Sequence, residues 1–487
     1  MKQKIHTYLI AIIFAFSLSY PLPAFSEDSK LSDEDLYLLL SNMNIPLVDI
    51  STVNGEEPTC DIVSPPEGAF GSGIANATKV EGSMRIIKNG EVIYDSGEYV
   101  KKESGLTIKI RGNTSGKKPK KPYKIKLQKK ADLLNRNDKK YKDKDWVLLR
   151  TGSCLNTSIG FWASELIGQE WTPAHEFVNV FLNGTYRGLY ILCEQITVNK
   201  DCRININEST GYVVECDAYW WTEDIYFPSP LTNPALKFTY KYPDPEDITD
   251  EWHEAISSDV LSNEQKIIDG TYDEAYDTES FAKWLLAWEI LGNDDYAGAN
   301  MYVVKKDADS KICMGPMWDF DQALKLSDGW IGIHTNHFYF HHMLKSNDAL
   351  QKEFNRLWNE KGQYVVDTLI ERINAFASSP EGSDYNQCLE LETKYGIASD
   401  FWQPYIGDLE FMRDYAVSFL DNRATWLGNK IDEIENGVEI IDQGLSLSSE
   451  ENVYDMIGRR INPNTPGLQI RNGKKYILNH NMIPLLY

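Results

Sequence analysis

The stretch from Phe177 to Leu192, FVNVFLNGTYRGLYIL, decides the fold class of the first half of the chain. Two apolar runs flank Asn183-Gly184, and this dipeptide readily adopts the positive φ angles of a type I′ turn. The stretch therefore predicts a tight β-hairpin. Upstream, Asn89-Gly90 lies between short β-type runs and predicts a second hairpin.

The segment Tyr123-Lys124-Ile125-Lys126-Leu127 alternates apolar and basic residues. Because successive side chains of a strand point to opposite faces, Lys124 and Lys126 share one face and the apolar residues share the other. This strand is therefore predicted to bury one face in a core and to present two ammonium groups on the other.

Beyond about residue 250 the spacing of the apolar residues becomes helical. Phe281, Trp284, Leu285 and Trp288 lie at i, i+3, i+4 and i+7, and Gly292 is typical of a helix end. Similar patterns recur further along the chain. The fold class is therefore predicted to be α+β, with a strand-rich N-terminal half and a helical C-terminal half.

Length and charge exclude several classes of protein. The 487 residues are 42% hydrophobic, which supports a sizeable core and excludes global disorder. A formal net charge of −23 argues against nucleic acid or anionic lipid as partners. Between Lys101 and Arg150, however, 18 basic and 5 acidic residues give a local charge of +13, so an anionic ligand is expected to bind there.

The two ends of the chain differ in composition from the body. Residues 1–26 combine basic residues with an apolar run from Tyr8 to Leu18 that is short for a membrane span, and they are predicted to be a cleaved secretory signal peptide. Residues 27–44 are predicted to be a leader segment, and residues 439–487 a short β-rich tail. We therefore expect an extracellular or cell-surface protein with no integral membrane segment.

Two acidic segments have the composition of a divalent-cation site. Asp294, Asp295 and Asn300 follow a predicted helix, and Asp319 and Asp321 lie in a later strand-like or turn segment. Carboxylate and amide oxygens are the ligands that Mg²⁺ and Mn²⁺ prefer. The same residue types also cap helices and form turns, and residue type alone does not separate the two explanations.

The basic segment supplies the complementary charge. The sequence RGNTSGKKPKKP from Arg111 to Pro122 predicts a flexible cationic loop, and Lys124 and Lys126 follow it on the predicted strand. Fixed cations and glycine-exposed N–H groups suit a phosphate ligand, although the spacing of a Walker A loop is absent. Protection of a strand edge against aggregation is the favoured explanation for Lys117–Lys121.

Taken in their order, these segments resemble the CotH spore-coat kinase family, in a form found in secreted bacterial proteins. The motifs that carry the resemblance are Arg111–Ser115, Lys121–Leu127, Val180–Glu194, Asn293–Asn300 and Gly315–Asp321. The resemblance runs from about Ile45 to Lys430. It implies an atypical protein kinase-like fold for residues 45–438. The C-terminal tail separately resembles the sorting tails of Bacteroidetes-type secreted proteins.

The resemblance also implies an activity, which is transfer of the γ-phosphoryl group of ATP to Ser or Thr of an unidentified protein, with Mg²⁺ or Mn²⁺. Asp295 and Asn300 then match the D-x-x-x-x-N spacing of a kinase catalytic loop. The implied roles are catalysis for Asp295, metal binding for Asn300, Asp319 and Asp321, and nucleotide binding for Arg111, Lys124 and Lys126.

Departures from the family pattern leave a non-catalytic alternative open. Asp321 replaces the glycine expected after Asp-Phe, Ile159-Gly160 stands where many relatives carry an Arg-Asn pair, and Gly68–Gly73 lacks the spacing of a kinase glycine-rich loop. The alternative is a secreted surface or adhesion module that retains the fold and binds a divalent ion or a glycan.

A histidine-rich segment suggests a third class, a zinc-dependent hydrolase. His334, His337, His341 and His342 lie close together in the sequence, at spacings that a helix would bring onto one face. Aromatic neighbours favour packing as the explanation, and no HExxH motif accompanies the histidines.

Overall fold

The computed structural model describes residues 30–435 apart from 233–234, 294, 296–299, 332–337 and 398–406, together with the backbone of five short strands between residues 438 and 478. The predicted signal peptide lies outside the described residues. Within the part of the chain that is described, no helix has both the length and the apolarity needed to span a bilayer.

The strand-rich half is built around a sheet that closes on itself. Its strands and those of a small separate hairpin are β1 (Leu47–Thr52), β2 (Asp61–Val63), β3 (Gly73–Ala75), β4 (Val80–Lys88), β5 (Glu91–Asp95), β6 (Leu106–Ile110), β7 (Tyr123–Ala131), β8 (Asp143–Leu149), β9 (His175–Leu182) and β10 (Thr185–Glu194). The order in the main sheet is β1-β9-β10-β8-β7-β6-β4-β5, and β1 also pairs with β4. This extra pairing closes seven of the strands into a barrel, while β2 and β3 pair only with each other.

Both predicted hairpins are confirmed. Asn183 and Gly184 connect β9 to β10 with φ angles of 53° and 73°. Asn89 and Gly90 connect β4 to β5 with φ angles of 52° and 78°. These positive angles are those that a type I′ turn requires, and asparagine and glycine adopt them at low cost.

The barrel interior holds one of the two hydrophobic cores. Tyr123, Ile125 and Leu127 of β7 are at most 3% exposed and point into it, beside the fully buried Trp146 of β8. Burying an aliphatic or aromatic side chain of this kind stabilises the fold by roughly 1.5–3 kcal/mol. The alternation predicted for β7 is therefore confirmed, and its lysines lie on the outer face of the barrel.

The rest of the body combines a second sheet with helices. Its strands are β11 (Tyr212–Asp217), β12 (Tyr226–Phe227), β13 (Lys237–Tyr242), β14 (Met301–Lys305) and β15 (Ile312–Met314), in the order β12-β13-β11-β14-β15. The helices are α1 (Asp33–Ser41), α2 (Asn156–Ile167), α3 (Asp250–Asp269), α4 (Thr278–Leu291), α5 (Tyr339–Ser346), α6 (Ala349–Leu357), α7 (Gln363–Ala377), α8 (Pro380–Tyr395) and α9 (Leu409–Glu435). The predicted α+β class, with a strand-rich first half and a helical second half, is confirmed.

Helix α4 lies at the centre of the second core and has the predicted apolar face. Trp284 and Trp288 stack with ring centroids 4.1 Å apart and are each 1% exposed. The side chain of Asp277 accepts a hydrogen bond from the Ser280 N–H at the first turn. Gly292 ends the helix with a φ of +54°, a conformation that glycine adopts readily.

The segments at either end of the body also contain regular structure. In the predicted leader, Leu36 and Leu40 of α1 are fully buried, so this helix packs against the body. The predicted β-rich tail contains β16 (Val438–Ile440), β17 (Val453–Tyr454), β18 (Arg460–Ile461), β19 (Gly467–Arg471) and β20 (Lys474–Leu478), which form a sheet in the order β16-β20-β19-β17-β18.

Candidate functional site

The buried amide of Asn293 connects the two acidic segments. Asn293 follows the end of α4 and is 0% exposed. Its Oδ1 accepts a hydrogen bond from the N–H of Asp295 at 3.1 Å, and its Nδ2 donates to the carbonyl oxygen of Asp319 at 3.2 Å. One side chain therefore fixes the relative positions of two aspartates that are far apart in sequence.

The second acidic segment is held from its other side by α2. The fully buried Phe320 packs edge to face on Phe161 with ring centroids 5.6 Å apart. A β-carbon on Gly160 would lie 2.0 Å from Phe320 Cγ, so the ring occupies the space that glycine leaves. Asn156 Nδ2 also donates to the carbonyl oxygen of Ala323 at 2.7 Å. Gly160 is therefore a packing contact for Phe320.

Three carboxylates converge where these segments meet. One oxygen each of Asp295, Asp319 and Asp321 lies within 4.8 Å of the other two, and all three residues are half-buried. Burial, followed by the charges of Asp321 and Asp295, raises the pKa of Asp319 well above its usual value. A divalent cation held by these oxygens would offset that repulsion, and hard oxygen donors fit Mg²⁺ or Mn²⁺. We call these three residues the acidic cluster.

The basic loop, residues 111–122 between β6 and β7, reaches the acidic cluster through Arg111. The guanidinium carbon of Arg111 lies 5.6 Å from the ring centroid of Trp318. The charge of Arg111 opposes the rise in the pKa of Asp319, as expected for a cation close to the carboxyl group. The structure therefore brings Arg111 close to Asp319, one of the three aspartates of the acidic cluster.

A row of lysines continues from Arg111 along the outer face of the barrel. Lys109 lies in β6, two residues before Arg111, which follows the end of the strand. Lys109 lies opposite Lys124 in the register of β6 and β7. Burial, and then the charges of Lys124 and Lys79, lowers the pKa of Lys109. Sequence reasoning missed Lys109, although it alternates with Ile108 and Ile110 in the same way as the lysines of β7.

The two predicted strand lysines differ in their distance from the site. Lys124 is half-buried, and its Nζ lies 3.4 Å from an Asp145 carboxylate oxygen. Lys126 is exposed and lies opposite Thr107, so this pair is two residues further from Arg111 along β6 than the pair of Lys109 and Lys124. Of the two, Lys124 is therefore the better placed to contact a ligand at the acidic cluster.

Asn300 immediately precedes β14 and has a φ of +71°. Its N–H donates to Glu215 Oε1 at 3.0 Å, and Glu215 Oε2 pairs with Lys241 Nζ at 2.8 Å. These contacts fix the backbone of Asn300, and its assignment as a metal ligand stays a prediction. Asp294 lies outside the described residues.

The histidine-rich segment is only partly described. His334 and His337 lie outside the described residues, while His341 and His342 lie in α5 with ring centroids 5.6 Å apart. Among the described residues, the acidic cluster is the one group of three or more metal-binding side chains close enough to share an ion. The zinc alternative stays an untested prediction.

A buried ion pair that sequence reasoning missed anchors the basic loop. Lys120 is 5% exposed, and its Nζ donates to the Glu392 carboxylate, to Leu189 O at 2.7 Å and to Ser153 Oγ at 2.9 Å. Glu392 lies on α8, 272 residues further along the chain. The edge-protection explanation of the loop lysines is therefore wrong for Lys120, because its ammonium group is buried and paired.

A family model matches the part of the chain that carries the motifs. The model of the CotH kinase protein family matches residues 108–379, a range that contains the basic loop and both acidic segments. Among solved structures, the crystal structure of the Helicobacter pylori proinflammatory kinase CtkA matches with 11% sequence identity and a TM-score of 0.24, covering 64% of this chain and 95% of that one. No curated protein sequence matches.

Proposed function

The chain belongs to the CotH kinase protein family, and we propose that it transfers the γ-phosphoryl group of ATP to a Ser or Thr hydroxyl of a protein, with a divalent cation at the acidic cluster. The observation that carries this proposal is the convergence of Asp295, Asp319 and Asp321 within 4.8 Å of one another. Phosphoryl transfer depends on charge neutralisation and positioning more than on covalent chemistry of the protein, so a small set of carboxylates and cations suffices.

The carboxylates divide into two roles. Asp319 and Asp321 would hold Mg²⁺ or Mn²⁺, with Asn300 as a further oxygen ligand, and the cation would neutralise charge on the phosphate oxygens when bound. Asp295 would accept the proton of the acceptor hydroxyl, as the catalytic-loop aspartate of a kinase does. Its backbone contact with Asn293 fixes its position relative to Asp319.

The cations of the barrel would bind the phosphate chain. The charge of Arg111 acts on Asp319, and Lys109 precedes Arg111 by two residues, which is roughly 7 Å at ~3.3 Å per residue of extended chain. Lys124 lies opposite Lys109 on β7. A row with this spacing matches the extent of a triphosphate, so the terminal phosphate would lie at the acidic cluster and the others along the row.

The proposed kinase would act outside the cell after secretion. The apolar run and the basic residues within residues 1–26 support export and cleavage of a signal peptide. The phosphorylated protein would then be extracellular or on the cell surface, and the C-terminal tail would direct the enzyme there.

A labelling experiment on the mature chain tests the activity. Purified protein is incubated with γ-labelled ATP, Mg²⁺ or Mn²⁺ and a library of Ser- and Thr-containing peptides. Wild type should transfer label, and Asp319→Asn and Asp295→Asn should each lower the rate by at least about 10²-fold, the scale expected when a charged group that stabilises the transition state is removed. Asp309→Asn, which changes an exposed aspartate between β14 and β15, should leave the rate unchanged.

Nucleotide binding separates the two roles. Asp319→Asn should abolish the rise in melting temperature that ATP and Mg²⁺ cause, because it removes a cation ligand. Asp295→Asn should retain the rise, because the proton acceptor is not needed for binding. A wild-type protein with neither label transfer nor a nucleotide-dependent rise would refute the kinase proposal and favour the non-catalytic binding module.

A further inference from the structure

Tyr219 occupies a fixed position just beyond the end of β11. The Asp217 side chain accepts a hydrogen bond from the N–H of Tyr219 at 2.7 Å. The carbonyl oxygen of Tyr219 accepts from both the N–H and the hydroxyl of Thr222, each at 2.9 Å. Since the residue is only 9% exposed, the direction of its side chain is set by the turn and by packing.

Two carboxylates of the acidic cluster act electrostatically on the hydroxyl of Tyr219. Burial raises its pKa, and the charges of Asp295, Asp217 and Asp319 raise it further, while the hydrogen bond with Thr114 opposes the rise. These interactions place the phenol within electrostatic reach of two of the three carboxylates of the cluster.

The same hydroxyl contacts the basic loop. Tyr219 OH and Thr114 Oγ1 lie 2.6 Å apart, and either group can donate the hydrogen bond. Thr114 follows Arg111 by three residues in the basic loop of the barrel, whereas Tyr219 lies in the turn that follows β11 of the second sheet. The bond therefore links the basic loop of the barrel to the end of β11.

The ring of Tyr219 supports a second segment, the loop between β2 and β3 (residues 64–72). The ring packs edge to face on Phe70 with centroids 6.0 Å apart. Trp221 Nε1 donates to the carbonyl oxygen of Phe70 at 3.2 Å, and Lys117 Nζ donates to Ser72 Oγ at 2.6 Å. This hairpin loop therefore contacts both the basic loop and the second sheet.

We propose that Tyr219 is a positioning residue for phosphoryl transfer, which holds the basic loop and the hairpin loop closed over the acidic cluster. Its hydroxyl would fix Arg111 through Thr114, and its ring would support Phe70. The role in transfer rests on the proposed kinase function, whereas the contacts themselves do not. Closure of this kind orients the phosphates and excludes water, which are two established contributions to phosphoryl transfer.

Removing the hydroxyl alone separates the two contacts. Tyr219→Phe retains the ring that packs on Phe70 but loses the bond to Thr114, so the KM for ATP should rise about 3- to 10-fold, the factor expected for one hydrogen bond, with a smaller change in kcat. Thr114→Val should have the same effect, and the double variant should be no worse than either single variant. Tyr219→Ala, which also removes the ring, should raise ATP hydrolysis relative to peptide phosphorylation.

Hydrogen exchange tests the contact without nucleotide. The amides of residues 111–117 should exchange faster in Tyr219→Phe than in wild type. Tyr395→Phe is the matched control, because the hydroxyl of Tyr395 also donates one bond to a distant segment, to Leu31 O at 3.0 Å. It should change neither the KM for ATP nor exchange in this loop.

The outcomes distinguish this proposal from the proposed function. Unchanged exchange in residues 111–117, or effects of the two single variants on KM that multiply in the double variant, would overturn the role of Tyr219. A wild-type protein without label transfer would instead refute the kinase activity. In that case faster exchange in Tyr219→Phe would still support Tyr219 as the residue that holds the basic loop.

Discussion

Replacing Lys120 by methionine is expected to lower the free energy of unfolding by about 3–5 kcal/mol, the usual cost of leaving one partner of a buried ion pair alone. The side chains of Lys120 and Glu392 are only 1% and 5% exposed. Methionine has a similar length but no donor. Among the described residues, Glu392 would then keep hydrogen bonds from two neutral donors, which are the N–H of Leu189 at 2.7 Å and the hydroxyl of Ser153 at 2.6 Å.

A double-mutant cycle shows whether the uncompensated charge causes this loss. Glu392→Gln alone should cost a similar amount, because it leaves the ammonium group of Lys120 buried without an anion. The double variant Lys120→Met/Glu392→Gln leaves no buried charge at this position, so it should cost about 2–3 kcal/mol less than the sum of the two single variants. Lys352→Met is the surface control, since Lys352 and its partner Asp348 are 73% and 71% exposed, and it should have almost no effect.

Urea denaturation at pH 7, followed by tryptophan fluorescence, measures these differences, and the 13 tryptophans of the chain supply the signal. The reasoning fails if Lys120→Met costs less than about 1 kcal/mol, the worth of an ordinary hydrogen bond. It also fails if the two single losses simply add in the double variant. Either result would mean that the ammonium and carboxylate groups are better solvated than their burial indicates.

Three further predictions concern packing and protonation. Gly160→Ala should destabilise the protein by ~1–3 kcal/mol in thermal unfolding, because the new β-carbon would lie 2.0 Å from Phe320 Cγ. Gly428→Ala is the control: its β-carbon would lie 3.7 Å from Trp358 Cζ2, an ordinary contact distance, so this variant should be neutral or slightly stabilising. The rise in melting temperature that Mn²⁺ causes should shrink as the pH is lowered, because the raised pKa of Asp319 lets protons compete with the cation, and a rise that does not change with pH would contradict this. Burial lowers the pKa of His175 from 6.5 to about 4, so between pH 4 and pH 6.5 the unfolded chain binds a proton that the folded chain does not. The stability that the neutral His175 contributes is therefore complete above pH 6.5 and is lost as the pH falls toward 4. His175→Gln should accordingly reduce the fall in the urea midpoint between pH 7 and pH 5.

The features that sequence reasoning predicted correctly are those encoded over short distances. The Asn183-Gly184 turn and the apolar face of α4 depend on residues within a few positions of one another, so their pattern is visible in the sequence. The alternation of apolar and basic residues in β7 likewise predicted which side chains point into the core and which point outward. The same argument applied to β6 would have placed Lys109 beside Lys124, which means that this part of the site was predictable and was overlooked.

The contacts that hold the site together could not be predicted in this way. Lys120 and Glu392 are 272 positions apart, and Thr114 and Tyr219 are 105 positions apart. At such separations only the path of the chain through the fold decides which polar groups meet. Residue type identified the aspartates as candidate ligands, but a carboxylate in a turn and a carboxylate in a cation site look the same in sequence.

Three properties of Asp319 oppose folding, and together they link the stability of the protein to cation binding at the acidic cluster. The φ of Asp319 is +63°, its carboxyl group is half-buried, and two further carboxylates lie close by. A strained residue of this kind persists only where its surroundings leave it no alternative. Here the side chain of Asn293 donates a hydrogen bond to the carbonyl oxygen of Asp319, and the next residue, Phe320, is fixed by its buried ring. Arg111 offsets part of the electrostatic repulsion at Asp319, and a bound divalent cation would offset more of it. Folding and cation binding are therefore expected to be linked, and the stability that the acidic cluster costs in the free protein is recovered when the cation binds.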